Sequence, residues 1–299
     1  MSDVVVKATV VPEVQTMQRV ELTRARGIVV QQQFQGAETA AALVGLPYEA
    51  KNIYKVGMLP DDKNVAQTST DPNRWQPKSS ELSLLPAALM AREESSCMER
   101  VCLNYCGCGN LRNLKLHFYG GSGADEYLMD RPFQLGAWIC CPITSTLYDV
   151  ADPNGTRNIG RVRENCDPYC GRGFESVCLC TQYDDVHELV DGQLELRYRI
   201  RENQCCCNGS SNNCCGGTCF RNDMVFDVLS PEGRPVGKVQ RTFGGGDNVG
   251  AALCRMMMQF SNYVVEFPEG STEAQRALLM AATHHLEYKL FEKSGNENN

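Results

Sequence analysis

Apolar and polar side chains alternate with a period of two along much of the chain. In "QLELRYRIR", Leu194, Leu196, Tyr198 and Ile200 fall on one face and Glu195, Arg197, Arg199 and Arg201 on the other, the pattern of a strand buried on one side only. Asp191-Gly192 before it is a hairpin signal. "LKLHFY" alternates similarly, with Leu114, Leu116 and Phe118 on one side, and runs into the turn-rich "GGSGADE". Two further strands, over 225–229 and 236–239, flank Pro231-Glu232-Gly233.

One hairpin pattern is written twice. Residues 148–162 read "YDVADPNGTRNIGRV" and residues 226–239 read "FDVLSPEGRPVGKV". Each runs aromatic-Asp-Val, a Pro-X-Gly turn, then a β-branched residue, Gly, a basic residue and Val, with one extra residue in the earlier copy. Each copy follows another hairpin (about 113–131 and about 184–201), with a cysteine-bearing connection between the two. The duplicated unit is therefore four strands, and two such units predict one closed antiparallel sheet, because closure removes the exposed edges of a long sheet.

Two segments break the alternation. Residues 58–86 are polar and turn-rich and predict a surface insertion. Residues 271–293 predict a helix, with Ser271 as cap, Glu273 in the first turn, Lys289 and Lys293 towards the end, and Gly295 beyond. Its apolar positions (Ala277, Leu278, Ala281, Ala282, Leu286, Leu290) wrap widely, so it reads as a buried helix. Its longest apolar run, 277–282, is far short of the roughly 20 residues a bilayer span needs, which predicts a soluble or peripheral chain. The domain reading is an N-terminal extension over 1–26 and one barrel domain over 27–299.

Charge narrows the function classes. At 299 residues with a net charge of −7, the chain lacks the basic stripe of a nucleic-acid reader, and no nucleic-acid partner is expected. The opening "MSDVVVKATVVPEV" lacks a basic n-region and a long apolar core, so no secretory signal is read. Seventeen cysteines without such a signal point to reduced thiols, acyl sites or metal rather than a disulfide framework. No GxSxG, no HExxH and only four histidines leave no nucleophile–base constellation, and no catalytic residue is assigned. His284 and His285 are adjacent, about 100° apart on a helix, and cannot form an i,i+4 metal pair.

Five stretches in order carry a resemblance: "VVQQQFQGAETAAALVGLPYEAKNIYKVG", "MAREESSC…CLNYCGCG", "DRPFQLGAWICCP", "VFDVLSPEGRPVGKVQR" and the closing "FSNYVVEFPEGSTEAQRALLMAATHHLEYKLFE". Together they resemble the phospholipid scramblase family over about 27–57 and 88–293. The resemblance implies a mainly β fold, a tubby-like antiparallel barrel of about twelve strands closed around a buried C-terminal helix. It also implies a membrane-associated role with phospholipids as partners, at the cytoplasmic face of an intracellular membrane, with calcium response and S-acylation of clustered cysteines. The family's calcium loop precedes the Phe-Pro pair, here Phe267-Pro268. This chain has Gln259, Ser261, Asn262 and Glu266 there, a poor set for a hard cation that takes 6–8 oxygens, usually with carboxylates.

Two cysteine readings stay open. Cys140-Cys141, in the apolar "LGAWICCPI", are acyl sites or two buried thiols, with Cys205, Cys206 and Cys207 as a second acyl candidate. Cys102-x₃-Cys106 and Cys166-x₃-Cys170 loosely match zinc knuckles, so a structural zinc is the other reading. Three functions follow: a scramblase-like protein that binds or translocates lipid, a non-catalytic scaffold for protein partners in a larger assembly, and a zinc-stabilised adaptor.

Overall fold

The computed structural model describes residues 22–33, 52–96, 112–134, 142–165, 181–203, 223–242 and 262–291. Twelve strands form a closed antiparallel barrel: β1 (Gly27–Gln32), β2 (Ile53–Met58), β3 (Leu89–Glu94), β4 (Leu114–Tyr119), β5 (Asp125–Arg131), β6 (Thr144–Asp149), β7 (Arg157–Glu164), β8 (Thr181–Val190), β9 (Gln193–Asn203), β10 (Met224–Leu229), β11 (Pro235–Thr242) and β12 (Asn262–Glu266). Each strand pairs with its neighbours in sequence, and β1 closes the wall against β12 with Gly27 opposite Glu266 and Gln31 opposite Asn262. The two predicted four-strand units are β4–β7 and β8–β11, side by side in the wall.

The inward faces supply the core: Ile28 and Val30 on β1, Leu116 and Phe118 on β4, Val186 on β8, and Phe226 and Val228 on β10 are all at most 1% exposed. Helix α2 (Glu273–Leu286) fills the lumen and continues as a π-helical turn over Glu287–Phe291. Every side chain from Ala277 to Leu286 is buried, which accounts for an apolar surface that wraps the helix rather than striping it. The cap is Thr272 and not Ser271. The Thr272 hydroxyl accepts from the Gln275 N–H (3.3 Å), and the Thr272 N–H donates to Gln275 Oε1 (3.3 Å). Ser271 could not complete such a capping box, because the residue three positions on is Ala274, whose side chain has no acceptor. The Ser271 hydroxyl instead accepts from Arg276 Nε at 2.8 Å.

Arg276 ties the start of the helix to the start of the barrel. Its Nη1 donates to the carbonyls of Leu22 (2.7 Å), Thr23 (2.6 Å) and Ala25 (2.8 Å), around a 3-10 turn spanning Leu22–Arg24. Leu22, from the 1–26 extension, is fully buried in the main core.

Residues 59–88 lie across the outer face. They carry helix α1 (Ser79–Leu84) and build a second small core in which Val65, Trp75 and Leu82 pack on Val29 and Val264. The buried Gln240 fastens this element: its amide donates to Trp75 O (2.9 Å) and Asp223 Oδ2 (2.8 Å), and its Oε1 accepts from the Ala66 N–H (2.8 Å).

Two sequence readings need correction. Leu194 is 40% exposed and Leu196 only half-buried. Neither is on the buried face with Tyr198 and Ile200, because the register shifts where Val186 pairs with Tyr198 but His187 with Leu196, so the alternation changes face at Arg197. The repeat is also out of register in its first strand. Val162 pairs with Ser145 and Val239 with Phe226, so Tyr148 does not occupy the place of Phe226. Phe226 is in the core while Tyr148 is only half-buried near the end of its strand. What the copies share is the glycine. A Cβ on Gly160 would meet His187 O of the next strand at 2.1 Å, and one on Gly237 would meet Glu266 O at 2.8 Å. Both sit beside a register shift, so the repeated Gly marks a bulge where the neighbouring backbone approaches closely.

Candidate functional site

Antiparallel order puts the ends of β3, β5, β7, β9 and β11 at one rim of the barrel. The connections leaving that rim, 97–111, 135–141, 166–180, 204–222 and 243–261, carry all 17 cysteines. The candidate acyl sites Cys140, Cys141, Cys205, Cys206 and Cys207 and the candidate zinc ligands Cys102, Cys106, Cys166 and Cys170 therefore lie outside the described residues, as do Gln259 and Ser261. Of the calcium set, Asn262 and Glu266 are visible. They stand at opposite ends of β12, roughly 13 Å of extended strand apart, and do not converge on one ion. Asn262 is 6% exposed. The described part of the set does not fit a calcium ion, and among the described residues no group of three or more His, Cys, Asp or Glu could hold a metal.

At the same rim the lumen is closed by a collar of buried charge. Asp184 of β8 receives Lys289 Nζ on both oxygens (2.9 and 2.7 Å), and His285 Nε2 lies 3.4 Å from its Oδ1. Burial alone would raise this carboxyl, but Lys289 and His285 outweigh it and bring Asp184 down to about 2. Lys289 also lies 3.8 Å from Glu164 Oε1. The His285 ring is pushed below its ordinary value by burial, against the pull of Asp184, and its Nδ1 is 2.8 Å from Ser145 Oγ.

A second cluster surrounds Tyr288. Glu93 pairs with Arg112 Nη1 (2.9 Å) and accepts from Tyr288 Oη (3.2 Å), Asn52 Nδ2 (2.8 Å) and Ser95 Oγ. Burial opposes ionisation of Glu93, yet Arg112, Ser95 and Asn52 together hold it below the usual carboxylate range. The Arg112 and Arg131 guanidiniums lie 5.7 and 5.6 Å from the Tyr288 ring centre, within cation–π range. A third contact joins the Tyr263 hydroxyl to Glu287, with Arg241 Nε 3.9 Å away. Burial first, then the Glu287 charge, pushes the Tyr263 phenol well above its ordinary value.

This collar is mechanical in character. The carboxylates of Asp184, Glu93 and Glu287 each face a cation. Together with Glu164 near Lys289 and Arg131 over the Tyr288 ring, these contacts fix the end of α2 to β3, β5, β7, β8 and β11. The opposite end is fixed by contacts from Tyr127 Oη to Glu273 (2.9 Å), Tyr198 Oη to Gln275 (3.0 Å) and Gln275 Nε2 to Glu188 (3.1 Å). Ser145, His285 and Asp184 do fall in a row, but each is at most 1% exposed, so the hydroxyl is enclosed in the packed lumen rather than presented in a cleft. An open cleft of about 590 Å³ lies instead on the outer face of β3–β5, lined by Arg92, Glu94, His117, Tyr119 and Asp125. Both His117 nitrogens are already engaged there, by Asp125 (2.7 Å) and Glu94 (2.9 Å).

Alternation alone did not reveal the collar. Near the helix end His285 Nδ1 and His284 Nδ1 are both engaged, the latter 2.9 Å from Met280 O. His284 Nε2 is buried without a partner.

No solved structure matches the chain. A family model described as Scramblase matches residues 8–293, nearly the whole length, and a twelve-strand barrel around a C-terminal helix is the architecture that the resemblance implies. The chain belongs to the scramblase family.

Proposed function

We propose that this chain is a peripheral phospholipid-binding protein that keeps its lumen closed and meets the bilayer from outside. The filled lumen carries the reading. Moving a polar headgroup across hydrocarbon needs a wet path, because each unsatisfied polar group costs several kcal/mol there. Here the lumen is occupied by α2 and sealed by the collar. No helix among the described residues is long and apolar enough to cross a membrane. Any lipid translocation in this reading proceeds outside the barrel lumen.

Attachment is assigned to S-acylation of Cys140 and Cys141, with Cys205, Cys206 and Cys207 as a second group, at the cytoplasmic face. Two chains anchor stably where one is marginal, at about 0.8 kcal/mol per buried CH₂. The proposal needs no resident calcium, since Asn262 and Glu266 lie apart on β12. A structural zinc on Cys102, Cys106, Cys166 and Cys170 is kept as a proposal that elemental analysis of the purified chain decides.

The test is co-sedimentation of the full unacylated chain with phosphatidylcholine vesicles with and without phosphatidylserine, in the presence and absence of calcium, alongside mass spectrometry of the native protein. Binding to anionic vesicles, or acyl chains on the native cysteines, supports the reading. The absence of both leaves the scaffold reading in front.

A further inference from the structure

On the outer face of the barrel the arginines of β7 and β9 fall into two groups. Four are paired: Arg157 with Asp149 (3.3 Å) and Asp152 (3.2 Å), Arg197 with Glu188 (2.7 Å), Arg199 with Asp185 (3.0 Å) and Arg201 with Asp227 (2.8 Å). Arg161 and Arg163, two residues apart on one face of β7, have no ion-pair partner among the described residues. The acid opposite Arg163 is Asp185, and its oxygens already take Arg199 Nε (3.0 Å) and Asn165 Nδ2 (2.6 Å).

Directly across from Arg161 stands His187. Arg161 Nε and His187 Nδ1 are both cut off from water. Arg161 Nε has no hydrogen-bond partner and His187 Nδ1 none of normal geometry, although the Asp185 backbone lies close enough to pull His187 upward. Solvated surface arginines do not leave a donor dry in this way. The chain has 36 acidic side chains against 29 basic ones, so acids are not scarce. None among the described residues pairs with these two arginines, and like charges side by side on a sheet face are destabilising. Burial lowers both Arg161 and His187, with Arg163 adding to it in each case and Asp185 pulling the other way on His187, as expected of cations short of counter-charge.

We propose that the outer face of β7–β8 binds a phosphate-monoester anion, held between the guanidiniums of Arg161 and Arg163 with His187 closing one side. The geometry selects the class. Cα atoms two apart on a strand are roughly 6.6 Å apart, so two guanidinium forks can converge on one group from adjacent directions. A planar carboxylate offers one two-oxygen edge and satisfies one fork. A phosphate monoester offers three terminal oxygens and up to two charges, and can accept from both. The hydroxyl-bearing Thr144 and Thr146 lie opposite Arg163 and Arg161 on β6 and border the site.

The anion has two sources, a phosphorylated lipid headgroup or a soluble phosphate compound, and the site does not depend on the membrane reading above. Calorimetric titration of the full chain with inorganic phosphate and with inositol trisphosphate tests the soluble source. Co-sedimentation with phosphatidylcholine vesicles containing either phosphatidylserine or phosphatidylinositol monophosphate tests the lipid source, because only the second lipid bears a monoester. The expected result is saturable binding to at least one monoester probe, weakened at least about tenfold in R161Q/R163Q and unchanged in R234Q, which removes a charge at an exposed turn. R163K keeps the charge and loses the fork, and it is expected to bind more weakly than the wild type. Monoester-dependent vesicle binding assigns a lipid, and binding of the soluble probes alone assigns a free phosphate compound. Equal affinity of wild type and R161Q/R163Q for every probe, or no saturable binding by the wild type, overturns the site. Continued phosphatidylserine binding in that event leaves the peripheral reading standing.

Discussion

His284 is predicted to contribute a large share of the barrel's acid sensitivity above pH 4, beside His285, whose ring burial also lowers. Its ring is enclosed in the lumen, with Tyr54 and Phe118 edge-on at 4.9 and 5.1 Å. Nδ1 lies 2.9 Å from Met280 O, which makes Nδ1 the protonated nitrogen and leaves the Nε2 lone pair among aromatic edges with no partner. Burial lowers the group from 6.5 to about 4, the bond to Met280 pulling the other way. The unfolded chain takes up this proton near pH 6.5 and the folded chain only near 4. Across that interval the unfolded state binds more protons, so stability present above pH 6.5 is lost as the pH falls towards 4. At about 1.4 kcal/mol per pH unit, the interval removes about 3 kcal/mol. Phenylalanine at this position keeps the edge-on packing and discards the orphaned Nε2. H284F is therefore expected to match wild type within about 1 kcal/mol near pH 7 and to be more stable than it by about 3 kcal/mol near pH 4. Urea unfolding at the two pH values measures both differences. Equal acid losses in H284F and wild type would refute the reasoning, because the proton uptake would then lie elsewhere.

Other outcomes follow from the same geometry. Asp184, held down to about 2 against an ordinary 3.8, contributes stability that is present above pH 3.8 and lost towards pH 2, a window separate from that of His284; D184N is expected to flatten that limb. K289M strands Asp184 as a buried charge and is expected to cost about 3–5 kcal/mol. D184N should cost less, since Lys289 keeps Glu164 at 3.8 Å, and a double-mutant cycle by urea unfolding reads the coupling; a K289M cost below that of D184N would contradict the assignment. G160A drives a Cβ to 2.1 Å from His187 O and is expected to cost on the order of 3 kcal/mol, read as a drop in melting temperature. Substituting Gly155, where an added Cβ would meet nothing within 4 Å, should cost less despite its positive φ of 104°.

The wall of the barrel was legible because its signals are local. Alternation at Leu114, Leu116 and Phe118 and the turn at Asp191-Gly192 each lie within a few residues, and the wide apolar wrap of 277–286 marks a helix with no exposed side. Closure followed from the duplicated four-strand unit. The collar was not legible for the opposite reason. Asp184 on β8 points inward, where alternation alone expects an apolar residue, and its partner Lys289 is 105 positions away. Glu93 and Tyr288 are separated by 195. A charged residue at an inward position looks like an outward one until its partner is known. The register of the repeat failed on a related point. Asp149 and Asp227 align in the text, but the 148–162 copy makes its bulge against Leu147 and the 226–239 copy against Val228, a difference that only strand pairing reveals. Arg161 and Arg163 are likewise unremarkable in the text of a strand whose first arginine, Arg157, is matched.

The enclosed helix is what every functional step depends on, and native-state hydrogen exchange across 273–286 tests it most directly. With and without anionic phospholipid vesicles, these amides are expected to exchange only through global unfolding, with protection unchanged by lipid. Fast exchange of this segment in solution, or protection that changes when vesicles are added while the strands stay protected, would show that the helix leaves the lumen to meet the membrane.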